Sequence, residues 1–538
     1  MGFPRMLRLH WLLATLILIT TGVFRPPLAK ADEPLRAFID RELSTAWKEQ
    51  KIAAAPKSTD SEFLRRVYID LVGTGPTYDE TTKFLADTDA KKREKLIDTL
   101  LADPRFAGAQ ANVWDLALFG RHPGNISDTR TRPAFKTWLA KQFTDGVTHD
   151  KLVKNLLLAE QPGSEMFMVQ FRNAPDEAAI AVSRIFLGTQ LQCAKCHDHP
   201  FDVWTQKDFY GVSGFFVRLV VQDAGGTPNN RTFTIGEKNS GEVLFSGNAK
   251  DAAPGKKGEP IKPKFLGGNV LNEPPTPKDY KEPPLPKGSE KMPKPTFSRK
   301  EKIAEWVVAA DNLYFANATV NRLWAQFMGR GIVHPIDDFH KENTPSHPML
   351  LKALATGFVA NKYDLKWVIR EIANSDAYQL SGVSASKASL PMWFERARVR
   401  PLTAEELVAA MRTANNFEIN PKDPNANWDY FLRAFGEPTN GLGEFQGSLS
   451  EHLFLNNSDQ VRALFRRKKG NLADKVLTST EPWEKRVELM YLSVLNRPPK
   501  PKELEAFVSF IKREPKPDAA VEDAIWVLLN SSEFRFNH

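Results

Sequence analysis

Apolar residues recur along most of this chain at the three- and four-residue spacing of a helix face. Within 62–71, positions 63, 64, 67 and 71 share one side. Gly73-Thr74-Gly75-Pro76 breaks that helix, and Thr77 opens another with Glu80 three residues on, a capping box. Further helical stretches are expected at 95–101, 109–119, around Trp138 and around Leu152–Leu157. A helix starting near Asp176 carries Ala178, Val182, Ile185 and Phe186, and its apolar spacing runs on to Thr189.

The pattern changes at 217–245. Val217, Leu219, Val220 and Val221, then Phe233 and Ile235, then Val243-Leu244-Phe245 read as short strands between Gly and Asn turns. Residues 246–300 are rich in Lys and Pro and read as an extended linker that docks at Phe265-Leu266-Gly267-Gly268. Helical spacing returns at Ile303, Trp306 and Val307, at 320–327, 350–358 and 365–372, after the capping box of Thr403 and Glu406, and at 483–495, 503–511 and 520–529. The expected fold is mainly α, with two helical domains joined by a short β-containing segment and a Lys/Pro-rich linker. The boundaries read as 1–31, 32–225, 226–300 and 301–538.

Residues 1–31 have the make-up of an export signal. Arg5 and Arg8 precede an apolar stretch at 10–24, and Ala29-Lys30-Ala31 supplies a small-x-small cleavage site. The apolar stretch falls short of the about 20 residues a membrane span needs, so membrane contact is expected only if the signal stays uncleaved. The expected location is the periplasm or cell envelope. The formal charge of +8 contains Arg5, Arg8, Arg25 and Lys30 from this segment, so the mature chain is only mildly basic. No basic stripe interleaves with aromatics, and no nucleic-acid partner is expected.

Export sharpens the meaning of Gln192-Cys193-Ala194-Lys195-Cys196-His197-Asp198-His199-Pro200-Phe201, which holds the only two cysteines of 538 residues. C-x-x-C-H is the spacing of covalent c-type haem attachment. If the preceding helix continues, Cys193 and His197 share a face with Cys196 beside them. Three readings are open. In the first, Cys193 and Cys196 form thioethers to haem c and His197 is the axial iron ligand. Met166, Met168, His334 and His347 are then candidate distal ligands, and the function is electron transfer or redox sensing with a redox partner protein. In the second, Cys193, Cys196, His197 and His199 hold a metal such as zinc. In the third, the cysteines form a structural disulfide in a non-enzymatic envelope binding or scaffold protein.

The second half has its own candidates. Asn321, Arg322, Arg330, Asp337, Asp338, Asn343, Ser346 and His347, with His334 and His340, are expected either to line a polar cleft, as in a metal-dependent hydrolase, or to cap and bridge helices. No G-x-S-x-G, P-loop or H-E-x-x-H motif is present.

The motifs resemble a family of planctomycete proteins in which a cytochrome-c-like domain of unknown function precedes a companion domain of unknown function. The first domain is marked by Arg65-Arg66-Val67-Tyr68-Ile69-Asp70-Leu71, by Leu96-Ile97-Asp98-Thr99-Leu100-Leu101, and by the cysteine stretch with Trp204-Thr205-Gln206-Lys207-Asp208-Phe209-Tyr210. The companion is marked by Val320-Asn321-Arg322-Leu323-Trp324, Gly329-Arg330-Gly331, Asp337-Asp338-Phe339, Pro345-Ser346-His347-Pro348 and Tyr378-Gln379-Leu380-Ser381. The resemblance implies a cytochrome-like N-terminal half and lends no reaction. Many relatives carry a later cysteine motif, where this chain has Gly443-Glu444-Phe445-Gln446-Gly447-Ser448-Leu449-Ser450.

Overall fold

The helices begin where local chemistry satisfies their first amide groups. Thr59 accepts from the Glu62 amide to start Asp60–Val72, and Gly73 ends it in the left-handed region at φ 70°. Thr77 and Glu80 form the expected capping box of Tyr78–Ala86, and Thr403 and Glu406 that of Ala404–Ala414. Pro104, in the first turn of Pro104–Phe119, ends one helix and opens the next. The computed structural model describes residues 33–120, 132–227, 230–245, 257–284 apart from 276 and 278, 294–383, 389–416, 429–435 and 449–538. The expected signal segment and most of the 443–450 stretch lie outside these.

The protein is mainly α. Among the described residues the strands form three two-stranded antiparallel pairs: Leu219–Thr227 with Asn230–Glu237, Val243–Phe245 with Glu259–Ile261, and Arg400–Pro401 with Phe536–Asn537. Part of the linker is docked. Leu266 and Leu271 are buried, and Phe265 stacks on Trp306 at 5.2 Å. Glu273 pairs with both Arg218 and Arg299 beneath this stretch. Among the described residues no helix is long and apolar enough to cross a membrane.

Residues 34–538 form one compact unit with two buried clusters. The first joins Phe63, Leu64 and Val67 to Phe186 and to Leu323, Trp324 and Ile369. The second joins Leu407, Met411, Val487 and Ile525 to Ile69. The Asp60–Val72 helix therefore contributes to both. Every residue from Phe63 to Val72 is buried, including Arg65, Arg66 and Asp70.

Those three charges are answered by distant groups. Arg65 donates to Asn496 Oδ1 at 3.0 Å and to the Phe534 carbonyl at 2.6 Å. Arg66 donates to the Tyr378 carbonyl at 2.6 Å. Asp70 accepts from Tyr378 Oη at 2.8 Å, Arg400 at 2.8 Å and Asn537 at 2.7 Å. The Arg-Arg-x-x-x-Asp mark is thus a structural knot, since a buried charge persists only when it is paired and hydrogen-bonded.

Candidate haem-attachment site

The helix that leads to the cysteines stops earlier than its apolar spacing predicts. Pro175–Leu187 ends at Gly188, which turns left-handed at φ 66°. The condition under which Cys193 and His197 would share a helix face is therefore not met. Instead, Gln192–Lys195 makes a single tight 3-10 turn. The amide of Cys196 lies 3.3 Å from the Cys193 carbonyl, and that of His197 lies 3.4 Å from the same oxygen. Ala194 is fully buried and pins the turn, while Cys193, Cys196 and His197 are exposed. Both thiols are free.

The rest of the long motif holds this turn. The Lys195 carbonyl accepts from Tyr210 Oη at 3.0 Å and from Gln206 Nε2 at 3.3 Å. Asp198 Oδ1 accepts from the Gln206 amide at 2.9 Å. Lys195 Nζ pairs with Asp176 at 2.6 Å, tying the turn to the start of the preceding helix. Thr205 and Asp208 cap Gln206–Ser213, and Asp208 also pairs with Lys264 at 2.7 Å. The His199 amide donates to the Trp204 carbonyl at 2.8 Å and closes the following loop.

The imidazoles of the motif are not equivalent. His197 Nδ1 lies 2.8 Å from the Asp198 carbonyl. A carbonyl only accepts, so neutral His197 carries its proton on Nδ1 and presents a lone pair at Nε2. His199 Nδ1 accepts from the Phe201 amide at 3.3 Å, which leaves the proton on Nε2. Two free thiols and one imidazole with a prepared Nε2 are the donor set that a thioether-linked haem requires, and a second bond holding Nδ1 is the usual way a metal-binding imidazole is oriented. Among the described residues, no three His, Cys, Asp or Glu side chains come together as a metal-binding group.

The family model PSCyt2, a protein of unknown function (DUF1549), matches residues 38–220, and PSD1, a protein of unknown function (DUF1553), matches residues 299–429. The chain belongs to this paired PSCyt2–PSD1 family. No curated protein and no solved structure matches it.

Several polar residues of the PSD1 segment are bonded within the fold. Asn321 is fully buried. It donates to the Val333 and Ile336 carbonyls at 2.9 and 3.0 Å and accepts from the Val333 amide, which fixes its own loop. His347 is buried against Trp393 and Phe394, and burial pushes it down to about 4. Its Nδ1 meets Ser346 Oγ, which also donates to the Ile332 carbonyl. Asn343 donates to the Asp338 carbonyl. Arg322 is held down to about 10 by desolvation, with Asp337 opposing. Burial likewise lowers Arg330, which stands beside Arg398.

Asp337 and Phe339 contact the stretch that precedes the cysteine turn. Asp337 pairs with Arg184 of the Pro175–Leu187 helix at 2.9 Å. The Phe339 amide donates to the Gly188 carbonyl at 2.8 Å, and the Phe339 ring lies where a Gly188 Cβ would meet it at 2.6 Å. PSD1 thus grips PSCyt2 just before the motif. His340 approaches it too, its ring 6.2 Å from that of Phe201, with Nδ1 accepting from the Glu342 amide and Nε2 3.6 Å from Asp338. Of the candidate distal ligands, Met166, Met168 and His347 are core residues, and His334 is half-buried in the Asn321-bound loop. The sequence placed His340 with the polar cleft. A contact spanning more than a hundred residues leaves no periodic signal.

Proposed function

We propose that this is an exported redox protein that carries haem c on Cys193, Cys196 and His197 and exchanges electrons with a partner protein in the periplasm or envelope. The observation that carries the reading is the His197 tautomer. Its Nδ1 is committed to the Asp198 carbonyl, so Nε2 is left for iron beside two free, exposed thiols. Cys193 and Cys196 would hold the haem through thioethers, each thiol having added across a vinyl group without need of an oxidant, and His197 would hold the iron. Bound haem supplies one-electron chemistry. The chain's own work is to hold the attachment turn rigid through Ala194, Tyr210 and Gln206 and to orient His197. Export follows from the N-terminal signal pattern, and the oxidising compartment it leads to is where a free C-x-x-C is otherwise consumed.

The test is production in the periplasm of a host that matures c-type cytochromes. We expect haem to stay with the chain through denaturing electrophoresis, an intact mass of polypeptide plus one haem, and loss of both in Cys193→Ala/Cys196→Ala. A wild-type mass of the bare polypeptide less two hydrogens defeats the haem reading. It leaves the envelope scaffold with a disulfide.

A further inference from the structure

We propose that the exposed apolar surface made by Phe201, Val203, Leu313 and Tyr314 is the bed on which the porphyrin lies, so that the site has one wall from PSCyt2 and one from PSD1. The proposal rests on the haem reading and says what that reading alone does not: which residues cover the porphyrin and why the two segments share a chain.

Phe201 and Val203 are 53% and 66% exposed, and Leu313 and Tyr314 are 64% and 37% exposed. Large apolar groups left in water forgo the gain of being covered, and exposed apolar residues near one another mark a binding surface. The two stretches that carry them approach each other. Trp204 stands next to Val203 in the chain and puts its ring 6.4 Å from Tyr314. Asp202 is close enough to raise the Tyr314 phenol, after burial. Gly267 packs under both rings, with Trp204 and Tyr314 atoms 3.6 and 3.5 Å from where its Cβ would stand. The exposure of Phe201 and Val203 is built into the backbone. Their loop is closed by the His199–Trp204 bond, the Phe201 amide is held by His199, and the Val203 amide by Asp202.

The occupant follows from what stands beside this loop. Cys196 and His197 lead directly into it, and the attachment turn itself offers a flat apolar ring little cover. Its one apolar member, Ala194, is fully buried beneath, while Gln192 and Asp198 are exposed and polar. A porphyrin tethered at Cys193 and Cys196 therefore needs apolar surface from outside the turn. The Phe201–Val203 loop provides it from PSCyt2, and the start of the Leu313–Met328 helix from PSD1. The Arg184–Asp337 pair and the Gly188–Phe339 packing fix the register between those walls.

The experiment compares F201D, V203D and L313D in holoprotein from the maturing host. Each residue is exposed, so the variants keep the wild-type circular dichroism. We expect covalent haem at wild-type yield, because the thiols and His197 are intact. We also expect a lowered midpoint potential, because water and a carboxylate beside the ring favour the ferric state, and a lowered holoprotein Tm. The same substitutions in the C193A/C196A background are expected to leave Tm unchanged. A wild type that carries haem but whose potential and Tm are unmoved by all three variants overturns the bed while leaving haem attachment standing. Shifts in F201D and V203D with none in L313D overturn the shared wall. A wild type that carries no haem overturns both readings.

Discussion

His149 is a buried imidazole, and neither ring nitrogen finds a hydrogen bond among the described residues. It stacks on Phe315 with centroids 5.4 Å apart and lies 4.7 Å from Trp114. Burial pushes it down to about 3, and the Arg322 guanidinium adds to the effect. In the unfolded chain it titrates near 6.5, so between pH 6.5 and about 3 the unfolded state holds a proton that the folded state refuses. The stability present above pH 6.5 is therefore lost on acidification, by about 1.4 kcal/mol for each pH unit across that window. His347, held down to about 4, adds to the same slope. His149→Phe keeps the ring stack and removes the proton. Urea unfolding at pH 7 and pH 5 is expected to show a smaller drop in midpoint for this variant than for the wild type. Nothing in the sequence around Thr148-His149-Asp150 distinguishes this core histidine from His197, which is exposed; only their surroundings separate them.

At the level of elements, the helices were largely legible because caps and apolar spacing are local. Thr77 with Glu80 and Thr403 with Glu406 name their own helix starts. The stop at Gly188 was harder to read, because Leu191 and Ala194 are buried too and prolong the apolar spacing past it. A glycine after the last helical residue is an ordinary end signal, and here it also makes room for Phe339. Gly188→Ala places a Cβ 2.6 Å from that ring and holds a non-glycine residue at φ 66°. The expected cost is about 2–4 kcal/mol, combining the left-handed backbone penalty with overpacking. Thermal unfolding of the variant should show it as a lowered Tm. A Tm equal to the wild type's would mean that Phe339 is free to swing away.

At the level of the molecule, the partners of the Arg65-Arg66-Val67-Tyr68-Ile69-Asp70 stretch were not legible. Tyr378, Arg400 and Asn537 lie more than three hundred residues along the chain from Asp70, and no spacing rule reaches that far. The hydrophobic face of the same helix could be read, but the charges within it could not be told from a solvated face. Asp70→Ala strips a buried acceptor from Tyr378 and Asn537, while Arg400 keeps Glu406. We expect a loss of about 2–4 kcal/mol, read as a lower denaturant midpoint with the slope unchanged.

The first buried cluster has a consequence for inheritance. Phe63 and Phe186 share it with Leu323, Trp324 and Ile369, so neither family segment closes its own interior. A gene broken between residues 245 and 294 would yield two products, each exposing the half of the interior that the other normally covers. Shuffling one segment onto an unrelated neighbour carries the same penalty. The two segments can be copied, varied and selected only together, and a substitution at Gly188 in one is judged by the ring of Phe339 in the other.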